Sequence, residues 1–321
     1  MRILLAPMEG VVDYTLRALL TEVGGIDQCV TEFIRVTNCL LPPAVFYRLA
    51  PELRQQGGTA SGTRVILQLL GSDPNALAEN AARAVELGAP GIDLNFGCPA
   101  KTVNKSRGGA VLLDEPDTIH SILVAVRAAV PAQIPVSAKM RLGYQDKSLA
   151  LENAQAIAAA GVQSLAVHAR TKVEGYRPPA HWEWIARIRE AVALPVIANG
   201  EIWNCADYQR CREISGCTDV MIGRGLVANP FLALAIKGRE CDAETGWQAV
   251  LPLLLRFHHE VMGRLPSRHI NGRLKQWLRM LGWHFPEAGA LFARVRREPD
   301  PQRLYELLKQ AQDEAGLRVT G

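Results

Sequence analysis

Eight short apolar runs, each suited to a single β-strand, alternate with longer amphipathic stretches over residues 1–240. The strand-like runs are Ile3–Pro7, Cys29–Val36, Val65–Leu70, Ile92–Asn95, Val136–Arg141, Leu165–His168, Val196–Asn199 and Val220–Gly223. Helix-type apolar spacing between breakers is found in Pro74–Leu87, Asp117–Val130, Leu149–Ala160, Trp182–Val192 and Ala206–Ile214. Strands that alternate with helices lie parallel, and eight such units favour a closed (β/α)8 TIM barrel over an open doubly wound sheet. Residues 40–63 are rich in Pro, Gly and Ser, so we expect a loop there rather than a single helix.

The remaining residues, 241–321, contain no strand-like run and have a different character. Their apolar spacing is helical in Trp247–Val261, Gly272–Leu281, Glu287–Arg296 and Arg303–Ala315. We therefore predict an α/β barrel domain over residues 1–240 and an all-helical domain over residues 241–321.

Composition excludes several classes of protein. Hydrophobic residues make up 48% of the chain and charged residues 21%, which is enough apolar surface for a folded core. The longest apolar runs are far shorter than the roughly 18 residues of a membrane-spanning helix, and Pro7 and Glu9 interrupt the apolar start of the chain. The seven cysteines include no Cys-x-x-Cys pair, which argues against a bound metal and for reduced thiols. We expect a cytoplasmic protein with no membrane or metal partner, and we favour a monomer.

A polar, cationic, thiol-bearing or glycine residue lies at or next to the carboxyl end of each of the eight strand-like runs: Glu9, Arg35, Gln68, Cys98, Lys139, His168, Gly200 and Gly223. In a barrel these ends surround one mouth, so a single composite site is expected there. Gly200 and Gly223 would let backbone N–H groups approach an anion, and His168 and Arg224 would add charge-assisted hydrogen bonds. Lys139 would place a cation in the mouth; the alternative is a strand-end lysine that extends its ammonium to solvent.

Cys98 follows the fourth strand-like run, lies between Gly97 and Pro99, and precedes a basic, glycine-rich loop. A thiol on a fixed loop can serve as a nucleophile or as a general acid, and an unperturbed thiol is mostly protonated at neutral pH. In isolation such a cysteine is more often structural. Its place among the other strand ends favours a catalytic interpretation.

Four stretches of the chain are distinctive: Ala6–Gly10 (APMEG), Asp93–Pro99 (DLNFGCP), Val167–Thr171 (VHART) and Val196–Gly200 (VIANG). Together they resemble the tRNA-dihydrouridine synthase family, and the Leu-Asn-x-Gly-Cys-Pro motif is highly specific to it. The stretches TEFIRV at residues 31–36 and RLKQWL at residues 273–278 resemble the bacterial C-type enzymes, which modify uridine 16 of tRNA. The resemblance covers essentially the whole chain.

This resemblance implies FMN as the prosthetic group of the barrel and NADPH as the electron donor. It implies that the flavin ring is flanked by Pro7, Met8, Glu9, Gln68 and Lys139. The ribityl chain and phosphate would be held by His168, Asn199, Gly200, Glu201, Gly223 and Arg224. Reduced flavin then passes a hydride from N5 to C6 of uracil, Cys98 donates a proton to C5, and Asn95 orients the base.

A tRNA substrate must also be held by its phosphates, and the charge distribution is suited to that task. Residues 264–297 include eight basic residues and one acidic residue, although the whole chain carries only +4. The expected tRNA contacts are Arg35, Asn95, Tyr176, Arg273, Lys275 and Arg296. The alternative for the basic segment is a solvated helix face. Of the nearby aromatic residues, Trp283 and Phe285 are expected to be core residues rather than base-stacking ones.

Two other functions remain open at this point. A related flavin barrel acting on a free small molecule, such as a dihydroorotate or dihydropyrimidine oxidoreductase, would share the FMN site but would not need the basic segment. A non-catalytic RNA-binding protein or tRNA chaperone would need the basic domain but not Cys98, Lys139 or the paired glycines.

Overall fold

The computed structural model describes residues 1–105, 107–238 and 246–317, and its centre is a closed barrel of parallel strands. The strands are β1 Ile3–Leu5, β2 Gln28–Val30, β3 Ile34–Arg35, β4 Arg64–Leu70, β5 Ile92–Phe96, β6 Val136–Arg141, β7 Ser164–His168, β8 Val196–Asn199 and β9 Val220–Ile222. Each strand from β4 to β9 pairs with the next, β9 pairs with β1, and β2 closes the ring by pairing with both β1 and β4. Because β2 and β3 are successive segments on the same edge of β4, the barrel has eight positions, which confirms the predicted fold.

The second predicted strand, Cys29–Val36, is interrupted in the structure. Thr31 accounts for the break, because its side-chain Oγ1 accepts the backbone N–H of Gln68 at 3.0 Å. In a continuous ladder, a backbone carbonyl of the neighbouring strand would accept that N–H. Pairing with β4 resumes at Ile34, which lies opposite Leu69.

The helices are α1 Tyr14–Val23, α2 Pro43–Leu49, α3 Pro74–Glu86, α4 Lys101–Lys105, α5 Pro116–Ala129, α6 Ala150–Ala159, α7 Trp182–Ala191, α8 Cys205–Ser215, α9 Arg224–Ala228, α10 Leu232–Ile236, α11 Gly246–Met262, α12 Ser267–Leu281, α13 Pro286–Val295 and α14 Pro301–Leu317. Residues 40–63 are not simply a loop, since they contain α2 and a 3-10 helix at Pro51–Gln55. Pro51 separates the two, because a residue that precedes proline is disfavoured in helical conformation and Ala50 adopts φ −134°.

Successive side chains of each strand point alternately outward, to the core between the barrel and its helices, and inward, to the barrel interior. Inside, an apolar layer is formed by Leu4, Ala6, Val30, Ile66, Ala166, Ile197 and Met221. Further along the same strand faces, toward the carboxyl ends, the inward positions become polar. The strand pattern thus fixes both the apolar floor and the polar mouth of the barrel.

Helices α11–α14 pack against one side of the barrel. Trp277 of α12 is buried, donates from Nε1 to the carbonyl oxygen of Val227 at 3.1 Å, and meets the ring of Phe257 at 5.0 Å between centroids. The four helical stretches predicted for the tail are all found. The predicted boundary at residues 240 and 241 lies outside the described residues, so the two-domain division stays a prediction. Within the described ranges, no helix is long and apolar enough to cross a membrane.

Candidate active site

A cavity of about 450 Å³ opens at the carboxyl ends of the barrel strands. Its lining includes every residue predicted above to contact a flavin, namely Pro7, Met8, Glu9, Gln68, Lys139, His168, Asn199, Gly200, Glu201, Gly223 and Arg224. Cys98, Asn95 and Tyr176 line it as well. The composite site expected from the strand ends is therefore brought together in one place, except for Arg35 of the second strand, and the cavity is within the size range of small-molecule and cofactor sites.

A chain of buried hydrogen bonds crosses the base of the cavity from β4 to β6. Asn95 donates from Nδ2 to Oε1 of Gln68 at 2.7 Å, and Gln68 donates from Nε2 to Oδ2 of Asp93 at 2.6 Å. Ser137 donates to the other carboxylate oxygen of Asp93 at 2.6 Å. Gln68 is thus held in a fixed orientation, because both ends of its side-chain amide are engaged.

Cys98 is held in a fixed loop and is only 8% exposed. Oδ1 of Asn95 accepts the backbone N–H groups of Gly97 and Cys98 at 2.9 and 2.8 Å, and the carbonyl of Cys98 accepts the N–H of Ala110 at 3.1 Å. Burial raises the pKa of the Cys98 thiol, so the thiol is protonated at neutral pH. That state is the one required of a proton donor.

Two cations of β6 stand beside this thiol. Burial, together with the positive charge of Arg141, lowers the pKa of the Lys139 ammonium to about 8. Lys139 therefore remains largely charged at neutral pH at an energetic cost, which an anion in the cavity would offset. The positive charges of Arg141 and Lys139 favour the thiolate of Cys98 and so lower its pKa, in opposition to the larger effect of burial.

Arg141 is a further residue of the site, beyond those expected from the sequence. It donates from Nε to the carbonyl of Gly97 at 2.9 Å, and from Nη1 to the carbonyls of Thr171 and Gly175 at 3.0 and 2.9 Å. It therefore joins the cysteine loop to the loop that carries Tyr176. A signal was present, because Arg141 ends β6 two positions after Lys139 and so faces the same side of the strand.

At the other end of the cavity, two glycines make room beside an arginine. A Cβ on Gly223 would lie 3.0 Å from Sδ of Met8, and one on Gly200, whose φ is +121°, would lie 3.0 Å from the ring of His168. The guanidinium of Arg224 lies 4.9 Å from the ring centroid of Tyr176 and 4.9 Å from that of Trp203. Glycine at both positions therefore avoids a tight contact, at Gly200 also a strained φ, and the space that the two residues leave is next to a cation.

The electrostatics here differ in two respects from the sequence-based expectation. Burial lowers the pKa of His168 well below its usual range, and the nearby charges of Arg141 and Lys139 lower it further, so His168 is neutral and adds no positive charge. The carboxylate of Glu201 is directed at the buried Arg170, with which it pairs, and lies 3.9 Å from Arg224. The carboxylate of Glu201 thus helps to orient the guanidinium groups of Arg170 and Arg224.

The residues predicted to contact tRNA differ in exposure and in the groups that they meet. Tyr176 is 54% exposed at the mouth, whereas Arg35 is exposed at a second cavity of about 320 Å³ near the start of α3. Arg273 is committed to the barrel: its guanidinium donates to the carbonyls of Gly10 and Val11 at 2.6 and 2.9 Å and to the carboxylate of Asp13 at 2.8 Å.

Lys275 and Arg296, the other two tail residues predicted to contact tRNA, differ in whether the charged group is already hydrogen-bonded within the protein or exposed. Lys275 donates from Nζ to the carbonyl of Glu298 at 2.7 Å, whereas Arg296 is exposed. The exposed guanidinium groups of this segment, such as those of Arg296 and Arg279, are therefore better placed to meet phosphates than those of Arg273 and Lys275.

Of the two aromatic residues expected in the core, one is buried and the other is exposed. Phe285 is buried, as predicted, and its ring meets that of Trp247 at 6.0 Å. The prediction for Trp283 is wrong, because its side chain is 55% exposed and stands perpendicular to Trp203 with 5.6 Å between the ring centroids. Trp283 comes two residues after Leu281, the last residue of α12, and so lies beyond the apolar stripe that buries Trp277.

Comparison with known proteins gives a consistent result. The family model described as dihydrouridine synthase matches residues 4–283. A tRNA-dihydrouridine(16) synthase of Aquipseudomonas alcaligenes is 58% identical over 311 residues, covering 96% of this chain and 99% of the relative. The enzyme of the same description from Pseudomonas putida is 59% identical over 312 residues, covering 96% of each chain, and that from Neisseria meningitidis serogroup B is 47% identical over 317 residues, covering 98% and 95%.

Solved structures share the barrel at low identity. Histamine dehydrogenase from Rhizobium sp. 4-9 superposes with a TM-score of 0.56 at 15% identity, covering 80% of this chain and 48% of that one. A 2-naphthoyl-CoA reductase superposes with a TM-score of 0.57 at 13% identity, covering 74% and 50%. This chain spans about half the length of each, and the likeness concerns the fold. Among the described residues, no group of three or more His, Cys, Asp or Glu side chains could hold a metal ion.

Proposed function

Because the chain belongs to the dihydrouridine synthase family, we propose that it reduces the C5–C6 bond of uridine 16 in tRNA, with FMN as its prosthetic group and NADPH as its electron donor. The choice of substrate is supported by near full-length relatives that carry the description tRNA-dihydrouridine(16) synthase. The single observation that carries the chemistry is the placement of the protonated Cys98 thiol in the same cavity as Lys139 and the paired glycines.

The cavity fits FMN in its chemistry. Lys139 presents a partly desolvated ammonium to the middle of the cavity, which suits the anionic ring of a reduced flavin. Gly200 and Gly223 keep open the space that a Cβ would fill, next to the guanidinium of Arg224, which suits a terminal phosphate. Pro7, Met8 and Gln68 would lie against the ring. When bound, the reduced flavin supplies the hydride for C6 of the uracil.

The protein contributes position and a proton. Cys98 donates its thiol proton to C5 and becomes a thiolate, which is stabilised by Lys139 and Arg141 until solvent returns the proton. The buried amide network fixes the loop that carries the thiol, so the acid is placed before the substrate arrives. The cofactor carries out the redox chemistry and the chain supplies the geometry.

The target base must leave the tRNA stack to enter the cavity. We infer that the barrel binds FMN and carries out the reaction, while the helical tail, with the exposed arginines of residues 264–297, contacts the phosphates. The same proposal assigns Tyr176, which is exposed at the mouth beside His168, to the incoming base or its neighbour.

The test uses tRNA from a strain that lacks dihydrouridine. The purified, flavin-loaded chain is incubated with this tRNA and NADPH, and the product is mapped by position. We expect dihydrouridine at position 16 and none at other uridines of the loop. Modification at a different position would overturn the choice of uridine, and turnover of free uridine or uracil without tRNA would favour the small-molecule alternative.

A further inference from the structure

Trp283 is an exposed indole that contacts a residue of the cavity wall. More than half of its side chain is exposed, and it lies just after α12, in the part of the chain that carries eight basic residues and one acidic residue. Trp203, which it contacts edge to face, lines the cavity itself. The indole therefore stands between the catalytic cavity and the basic tail.

The support beneath Trp283 is rigid. Trp203 donates from Nε1 to Oε1 of Glu201 at 3.0 Å, and its backbone N–H is accepted by the carboxylate of Asp207 at 3.0 Å. The guanidinium of Arg224 lies 4.9 Å from the centroid of the Trp203 ring and 4.9 Å from the centroid of the Tyr176 ring. A continuous row of four π systems thus runs from Tyr176 through Arg224 and Trp203 to Trp283.

Both ends of this row are exposed aromatic rings, whereas its middle is held by hydrogen bonds and an ion pair. An exposed, supported aromatic ring next to arginines is the arrangement by which proteins stack unpaired nucleobases, since every base has a π face and the flanking cations meet the phosphates. Arg224, which lies over the Trp203 ring, supplies one such cation, and Arg279, exposed on α12 four residues before Trp283 in the sequence, offers a second.

We propose that Trp283 is a stacking platform for an unpaired base of the tRNA loop that flanks the extruded uridine. This proposal rests on the proposed function, because it requires a tRNA substrate. The platform would keep the loop open while the target base occupies the cavity, so Trp283 is a substrate-binding residue and takes no part in the proton or hydride steps.

The experiment compares Trp283→Ala and Trp283→Phe with the wild type and with Val124→Ala, which removes an exposed apolar side chain (43% exposed) from the outer helix α5. The Kd for tRNA is measured over a range of salt concentrations on flavin-loaded protein. We expect Trp283→Ala to raise Kd about tenfold and Trp283→Phe to raise it no more than about threefold. Val124→Ala should leave it unchanged.

Two further readouts separate stacking from a structural role. Loss of a neutral stacking contact shifts the plot of log Kd against log salt without changing its slope, whereas loss of phosphate contacts reduces the slope. NADPH-driven reduction of the bound flavin and the Tm should match the wild type in all variants.

The outcomes are distinct for the two proposals. If Trp283→Ala binds tRNA as tightly as the wild type while the wild type forms dihydrouridine, the platform is overturned and the proposed function stands. A reduced salt slope or a lowered Tm in Trp283→Ala would also overturn the platform. Failure of the wild type to bind tRNA would overturn both.

Discussion

The side-chain oxygen of Asn95 accepts the backbone N–H of Cys98 at 2.8 Å, so an inward-facing strand residue holds the loop that carries the thiol. The same oxygen also accepts the N–H of Gly97, and the amide nitrogen of Asn95 is bonded to Gln68. Asn95 was selected from the sequence as a contact for the substrate base. Its observed bonds make it a positioning residue for Cys98.

Removal of the Asn95 amide should loosen the cysteine loop. In Asn95→Ala, two backbone N–H groups lose their acceptor, and we expect kcat for dihydrouridine formation to fall roughly 10- to 100-fold because the acid is misplaced. Reduction of the flavin by NADPH should be retained. Stopped-flow measurement of the two half-reactions checks this, and equal slowing of both would contradict a role confined to the loop.

Cys98→Ala should retain flavin and tRNA binding but lose most turnover. Loss of a positioned general acid typically costs 10²- to 10⁴-fold in rate, and we expect a loss in that range. Cys217→Ala is the matched control, because Cys217 is also buried and its thiol pKa is also raised by burial, but it precedes β9 at the end of the barrel opposite the mouth. Undiminished dihydrouridine formation by Cys98→Ala would remove the acid assignment.

Lys139 should destabilise the flavin-free protein in a pH-dependent manner. Its pKa falls to about 8 in the folded chain from an ordinary value of 10.5, so the unfolded chain binds more protons between these values and stability rises with pH there. The cost of the buried charge is thus fully present below pH 8. Lys139→Met should raise the unfolding free energy of the flavin-free protein at pH 7 by ~1–3 kcal/mol.

The check on Lys139 is a series of thermal or denaturant unfolding curves from pH 7 to pH 10. The advantage of Lys139→Met over the wild type should shrink as the pH rises above about 8, since the folded chain then holds the lysine neutral and the unfolded chain gains less from its protonation as the pH approaches 10.5. With FMN bound the order should reverse, because the variant loses a partner for the flavin. A pH-independent difference would show that packing, and not charge, separates the two proteins.

Much of the fold and of the cavity could be predicted from the sequence because both follow from local periodicity. Apolar runs and breakers indicate the strands, and the position of Lys139 near the end of its strand-like run predicts a cation at the mouth, where the structure has it. The break between β2 and β3 could not be foreseen, since it depends on a hydroxyl of Thr31 that takes over a ladder bond from a residue 37 positions away.

The electrostatics and the tail surface depend on contacts between distant parts of the chain. Burial, reinforced by several nearby cations, lowers the pKa of His168 and makes it neutral, and this is invisible in a motif that only contains a histidine. Arg273 lies in a basic segment, yet it meets Asp13 across 260 positions. Trp283 is expected in the core from the sequence, whereas its position after the end of α12 leaves it exposed.

Arg273 and Arg296 should therefore respond differently to substitution. Arg273→Ala removes four hydrogen bonds to the barrel loop at residues 10–13 and to Gln276, so we expect it to lower the unfolding free energy by about 1–3 kcal/mol. Arg296→Glu changes an exposed charge and should leave Tm within about a degree.

Arg296→Glu should weaken tRNA binding more than Arg273→Ala does, although it is the less destabilising of the two substitutions. Arg296→Glu should weaken binding severalfold at low salt and reduce the salt dependence of log Kd, because it removes a phosphate contact and adds repulsion. Arg273→Ala, measured at a temperature where it is fully folded, should keep the wild-type salt slope, since its guanidinium is already committed to the barrel. The opposite result, a reduced slope for Arg273→Ala and none for Arg296→Glu, would place the phosphate-binding surface on the inner side of α12 next to the barrel.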